Sequence, residues 1–89
     1  MGAFLVSYKL QAPIQKNHRF IEEIKRIGRC CQCMESVWIV CSSDTCELLR
    51  ERLVKYMDSD SELLVVGLKG HWASNNLNGD SLEWLSQNL

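Results

Sequence analysis

Along this chain the interval between apolar residues changes several times, and that alternation limits the fold more than any single motif. Residues 3–10 repeat at two, with Phe4, Val6, Tyr8 and Leu10 on one side and Leu5, Ser7 and Lys9 on the other. Such alternation belongs to a β-strand, whose successive side chains point to opposite faces. From Asn17 the interval lengthens, and Phe20, Ile21, Ile24 and Ile27 fall at helical spacing. Ala12-Pro13, with the only proline in the chain, separates the two segments. Gly28 stands where this helix should stop, behind Lys25 and Arg26, whose charges suit the negative end of a helix dipole.

Residues 29–42 are rich in strand formers but too long for one strand of about 5–6 residues. They divide into a short strand at 29–33, a bend at Met34-Glu35 and a strand at 36–41. Ser43-Asp44 then supplies a helix N-cap, and Asp44 with Glu47 three residues later has the spacing of a capping box. Cys46, Leu49, Leu53, Tyr56 and Met57 form one apolar stripe, predicting a helix over 44–57 that Asp58-Ser59-Asp60 closes. Residues 62–69 contain the run Leu63-Leu64-Val65-Val66, as in a strand covered on both faces. Residues 70–79 are mostly polar, and Asp80 caps a short last helix.

The order is therefore strand, helix, strand, strand, helix, strand, which is the split βαβ, ferredoxin-like pattern. It predicts an α+β fold: one domain spanning 1–89, a four-stranded antiparallel sheet with two helices on one face, and a C-terminal extension over 70–89. Such a sheet has a second face to cover. Either the extension carrying Trp72 and Trp84 covers it, or a second subunit does, since large exposed apolar patches are uncommon on monomers. A homodimer is the expectation, with Leu5, Ser7, Val37, Ile39, Val65, Trp72 and Trp84 at its interface.

The formal net charge is −1, so no global field draws the chain to nucleic acid. The charge is unevenly distributed, because residues 1–43 carry six basic and three acidic side chains and residues 44–89 carry four basic and eight acidic ones. Lys16, Arg19, Arg26 and Arg29 give the first helix a positive cast that suits phosphates, although Glu22 and Glu23 partly neutralise it. No run approaches the ~18 apolar residues of a membrane span, and the N-terminal segment lacks the basic region of a signal peptide. A cytoplasmic protein without membrane partners is expected, and its five cysteines need not pair in a reducing compartment.

Three groupings invite chemical readings. Cys30, Cys31 and Cys33 crowd one strand, on which only Cys31 and Cys33 share a face, so neither zinc nor another cofactor is expected. His18 and His71 have no carboxylate at catalytic spacing. Asp58, Asp60 and Glu62 alternate as oxygen ligands of a divalent cation do, but such a cluster is more often a solvated helix-to-strand turn.

Several strings in order resemble the Cas-two-like superfamily, which includes the CRISPR adaptation subunit and virulence-associated protein D, and in particular its small stand-alone bacterial members. They are Phe4-Leu5-Val6-Ser7-Tyr8, Gly28, Glu35-Ser36-Val37-Trp38-Ile39-Val40, Asp58-x-Asp60-x-Glu62-Leu63-x-Val65 and Trp84-Leu85-x-x-Asn88-Leu89. The resemblance implies a ferredoxin-like homodimer associated with RNA or DNA, some relatives being metal-dependent endonucleases. It also implies an aspartate at the end of the first strand as the magnesium ligand. This chain has Lys9 there, a positive charge that repels Mg²⁺ and contacts phosphate. The expectation is a non-catalytic binding or scaffold protein, with Lys9 joining the basic residues above. The alternatives are an endoribonuclease using Tyr8, Ser36, His18, Asp58 or Asp60, and a protein-interaction module using the open sheet face.

Overall fold

The computed structural model describes residues 2–11 and 14–89, and the side chains of all of these except 14–16. Its elements are β1 (Gly2–Lys9), α1 (Ile14–Ile27), β2 (Cys30–Met34), β3 (Val37–Ser42), α2 (Cys46–Val54), β4 (Glu62–Leu68) and α3 (Gly79–Asn88). The break expected at Ala12-Pro13 lies outside the described residues. The fold is α+β, with a four-stranded sheet in the order β2-β3-β1-β4, every neighbouring pair antiparallel. Hence β1 runs parallel to β2 with β3 between them, and β3 runs parallel to β4 with β1 between them. The helices α1 and α2 make the two crossovers.

Register explains which residues those helices bury. Val6 lies opposite Trp38 of β3 and Val65 of β4, and Phe4 lies opposite Val40. Against this face α1 sets Phe20 and Ile24, and α2 sets Leu49 and Leu53, to make the main core. Each such side chain contributes about 1.5–3 kcal/mol on full burial. The indole of Trp38 needs a partner for its N–H in this setting, and Nε1 donates to the Tyr8 hydroxyl at 3.1 Å. The Tyr8 ring in turn meets Phe20 edge-on, centroids 4.8 Å apart. Glu23 of α1 is buried, and its carboxylate accepts from Arg52 Nε of α2 and from Arg26 Nη1 at 3.1 Å. It thus ties the two helices to each other.

Four expectations need correction. The N-cap of α2 is Thr45, whose side chain accepts from the Leu48 amide at 3.2 Å; Asp44 instead donates its own amide to Ser42 Oγ. The helix ends at Val54 and does not reach 57. Beyond it Tyr56 and Met57 bond back to Leu53 and Val54, each three residues earlier, a tighter turn that still seats both side chains on the core. Gly28 does follow α1, but not as a left-handed cap, since Gly70 is the positive-φ glycine among the described residues. A Cβ on Gly28 would run into the Cys41 carbonyl oxygen, so glycine is required there by close approach. Finally Val65, expected on the open face, points to the helices and packs on the main core.

Candidate functional site

The second face of the sheet is where structure and sequence leave the most unassigned surface. It carries Leu5, Ser7 and Lys9 from β1, Val37 and Ile39 from β3, Leu64, Val66 and Leu68 from β4, and Cys31 from β2, by the pairing of the strands. The C-terminal α3 covers the β2–β3 side. It is capped by Asn78 and not, as expected, by Asp80, which lies inside its first turn; Asn78 Oδ1 accepts from the Ser81 amide at 2.8 Å, and the helix seats Leu85 against Ile39 and Cys33. Around that smaller core pack Leu5, Cys31, Leu68, Leu77, Trp84 and Leu89. The chain therefore covers Leu5, Ile39 and Trp84 with its own extension.

What α3 leaves open is a row that crosses the sheet from Leu64 on β4 through Ser7 and Val37 to Met34 on β2, with Val66 beside it on β4. Leu64 and Met34 are each 58% exposed and Val66 39%, and Val37 is half-buried between them. Trp72 stands 36% exposed where the connector to α3 crosses the sheet. Between the connector and the sheet runs a groove of about 390 Å³, floored by Leu5, Val37, Ile39 and Leu68 and walled by Trp72 and Leu85. Leu64, Val66 and Met34 were not predicted for this face. No spacing argument distinguishes Leu64 from Val65 in a run of four apolar residues. Only the pairing of Val65 with Val6 decides it.

The basic residues do not converge. Lys9 is exposed at the end of β1, in register with Glu62, on the face away from the helices. Arg19 and Arg26 are exposed on α1, on the other side of the sheet, and Arg26 is held by Glu23 and by Glu22 at 3.9 Å. Arg29 lies beyond α1, where its carbonyl accepts from the Cys41 amide. That places it level with Ala3, the partner of Cys41, six residues along β1 from Lys9, or roughly 20 Å. The side chain of Lys16 is outside the described residues.

Of the residues considered for catalysis, Tyr8 and Ser36 meet through the backbone, the Tyr8 amide donating to the Ser36 carbonyl at 3.3 Å. Burial pushes the Tyr8 phenol above its usual range, and the Trp38 N–H pulls the other way, so the hydroxyl stays protonated at neutral pH. His18 Nε2 lies 2.8 Å from Glu22 Oε1 on the surface of α1. Asp58 and Asp60 lie in the turn before β4, where the Asp58 carbonyl accepts from the Ser61 amide. Among the described residues no three or more His, Cys, Asp or Glu side chains come together as metal ligands would.

The cysteines divide as their alternation on β2 dictates. Cys30 joins the main core, while Cys31 and Cys33 share the α3 side. Cys33 donates to Cys31 Sγ at 3.4 Å, and Cys31 donates to Ser81 Oγ at 3.4 Å. Burial, then the hydrogen bond and nearness of Cys31, push the Cys33 thiol up to about 12. Among the described residues no helix is long and apolar enough to cross a membrane. No protein-family model matches the chain, and no curated protein matches it.

Proposed function

We propose that this chain is a ferredoxin-like, Cas-two-like protein that works as a homodimeric binding or scaffold protein associated with nucleic acid, without nuclease activity. One observation carries the reading: exposed Leu64 and Val66 on the edge strand β4, with exposed Met34 on the opposite edge strand β2. Exposed apolar surface of this kind marks a contact with another macromolecule, and an 89-residue chain gains most from a partner because it buries little of its own surface. The strand order and the two helical crossovers support the ferredoxin-like assignment. Lys9 and Glu62 stand side by side at the end of the β1–β4 pairing. Lys9 then serves as a point charge for phosphate in the place where a nuclease needs a carboxylate.

The test is solution mass by light scattering, with labelled RNA and DNA oligonucleotides at low and moderate salt. The expected result is a dimer that Leu64→Asp converts to monomer, and oligonucleotide retention that falls steeply with salt and weakens in Lys9→Ala. A monomeric wild type overturns the dimer. A dimer that ignores every oligonucleotide overturns the nucleic-acid role and favours a protein-interaction module. Mg²⁺-dependent cleavage lost in Asp58→Ala or Asp60→Ala overturns the non-catalytic reading.

A further inference from the structure

On β2 the geometry points to a redox-active dithiol: Cys31 and Cys33 close to an intramolecular disulfide by exchange with a small disulfide, and closure releases the hold of β2 on α3 through Ser81. The proposal is independent of dimerisation and of nucleic acid.

The two sulfurs already stand 3.4 Å apart. A disulfide requires about 2.05 Å between sulfurs and no more than about 6.8 Å between Cα atoms. Residues two apart on a straight strand sit near that limit, at roughly 6.6 Å, and β2 is not regular here. Its pairing with β3 shifts register between Gln32 and Met34, the kind of irregularity that bends a strand. Access exists as well, since Cys33 lines the groove beside α3 and Cys31 is half-exposed. Cys30 is turned to the other face of the sheet, which leaves Cys31 and Cys33 as the matched pair on β2.

The chemistry balances with a low-molecular-weight disulfide such as oxidised glutathione as the oxidant. The more accessible Cys31 loses its proton to solvent and attacks one sulfur of the small disulfide. That S–S bond breaks, and the first small thiol leaves and takes up a proton. Cys33 then attacks Cys31 Sγ, loses its own proton and expels the second small thiol. Two protein thiols are oxidised and one small disulfide is reduced. Capping Cys31 also removes its charge, one of the influences that keep Cys33 protonated, while burial, the largest, stays.

The link to α3 follows from the donor chain. Ser81 is 3% exposed and receives the Cys31 S–H, and it lies in the first turn of the helix that covers the smaller core. Oxidation removes that hydrogen, and the buried hydroxyl is left without this donor.

The full-length protein is equilibrated with oxidised and reduced glutathione in fixed ratios, and its intact mass and the amide exchange of residues 81–89 are measured. The expected result is reversible loss of two hydrogen atoms with three of the five thiols still alkylatable, and several-fold faster exchange in α3. The triple variant Cys30→Ser, Cys41→Ser, Cys46→Ser should behave alike. Cys31→Ser, which keeps a donor for Ser81, should show neither the mass loss nor the change in exchange. No mass loss in the triple variant, or mass loss that survives Cys31→Ser or Cys33→Ser, overturns the dithiol. Oxidation that leaves α3 exchange unchanged overturns its coupling to the helix.

Discussion

Glu23 is a buried carboxylate whose chemistry folding alters. Its carboxyl is held below the usual carboxylate range, first by the hydrogen bond from Arg52 and next by Arg26, with burial opposing them. A depressed carboxyl stabilises the native state in full above its unfolded value of 4.5, and that stabilisation is lost as pH falls through the lower folded value. Urea titrations from pH 7 to pH 2 should therefore show a decline below about pH 5 that is shallower in Glu23→Gln. At pH 7 that variant should lose about 1–3 kcal/mol, the range for hydrogen bonds to a charged group. Gly28 is constrained by space. Gly28→Ala sets a methyl against the Cys41 carbonyl, a backbone atom that cannot swing aside, and should cost about 1–3 kcal/mol as overpacking does, read from the shift of the urea midpoint.

At the scale of elements, α2 shows how little separates two plausible caps. Asp44 and Thr45 are adjacent, and the capping-box spacing from Asp44 to Glu47 is correct, yet the Leu48 amide is met by Thr45 Oγ1. The amide of Asp44 goes to Ser42, which draws that residue into the turn after β3 and one position away from the helix. Thr45→Ala should accordingly cost about 1 kcal/mol and Asp44→Ala clearly less, compared by thermal unfolding at one pH. The β2–β3 turn also avoids the expected turn chemistry. Ser36 takes a left-handed φ of 61° without the glycine or asparagine that usually fills such a position, which is why only the strand formers on either side marked the bend.

For the whole molecule, the placement of the helices decides what is covered: α1 and α2 make a layer over one face of the sheet, and α3 with its connector covers only part of the other. Parity along β4 then separates two neighbours of identical chemistry. Val65→Asp puts a charge among the core residues under α2 and should unfold the protein or lower its stability by at least about 2 kcal/mol. Val66→Asp, on the exposed strip, should leave the chain folded while weakening self-association, and any loss of stability should depend on protein concentration. Circular dichroism melts paired with light scattering distinguish the two.

Local pattern was enough for the elements themselves. A repeat of two placed Phe4, Val6 and Tyr8 on one face, a helical repeat placed Phe20 and Ile24 on another element, and strand alternation put Cys31 and Cys33 together, because each arises from the geometry of a few consecutive residues. Facts that depend on two distant segments meeting belonged to the tertiary structure alone. Pairing with Val6 set the side of Val65, and the approach of Cys41 set the need for Gly28. The position of α3 set which apolar residues stay open, and the path of β1 relative to α1 set Lys9 on the other side of the sheet from Arg19 and Arg26. The physical reason is that periodicity records which residues share a face, whereas only packing between segments decides what that face meets.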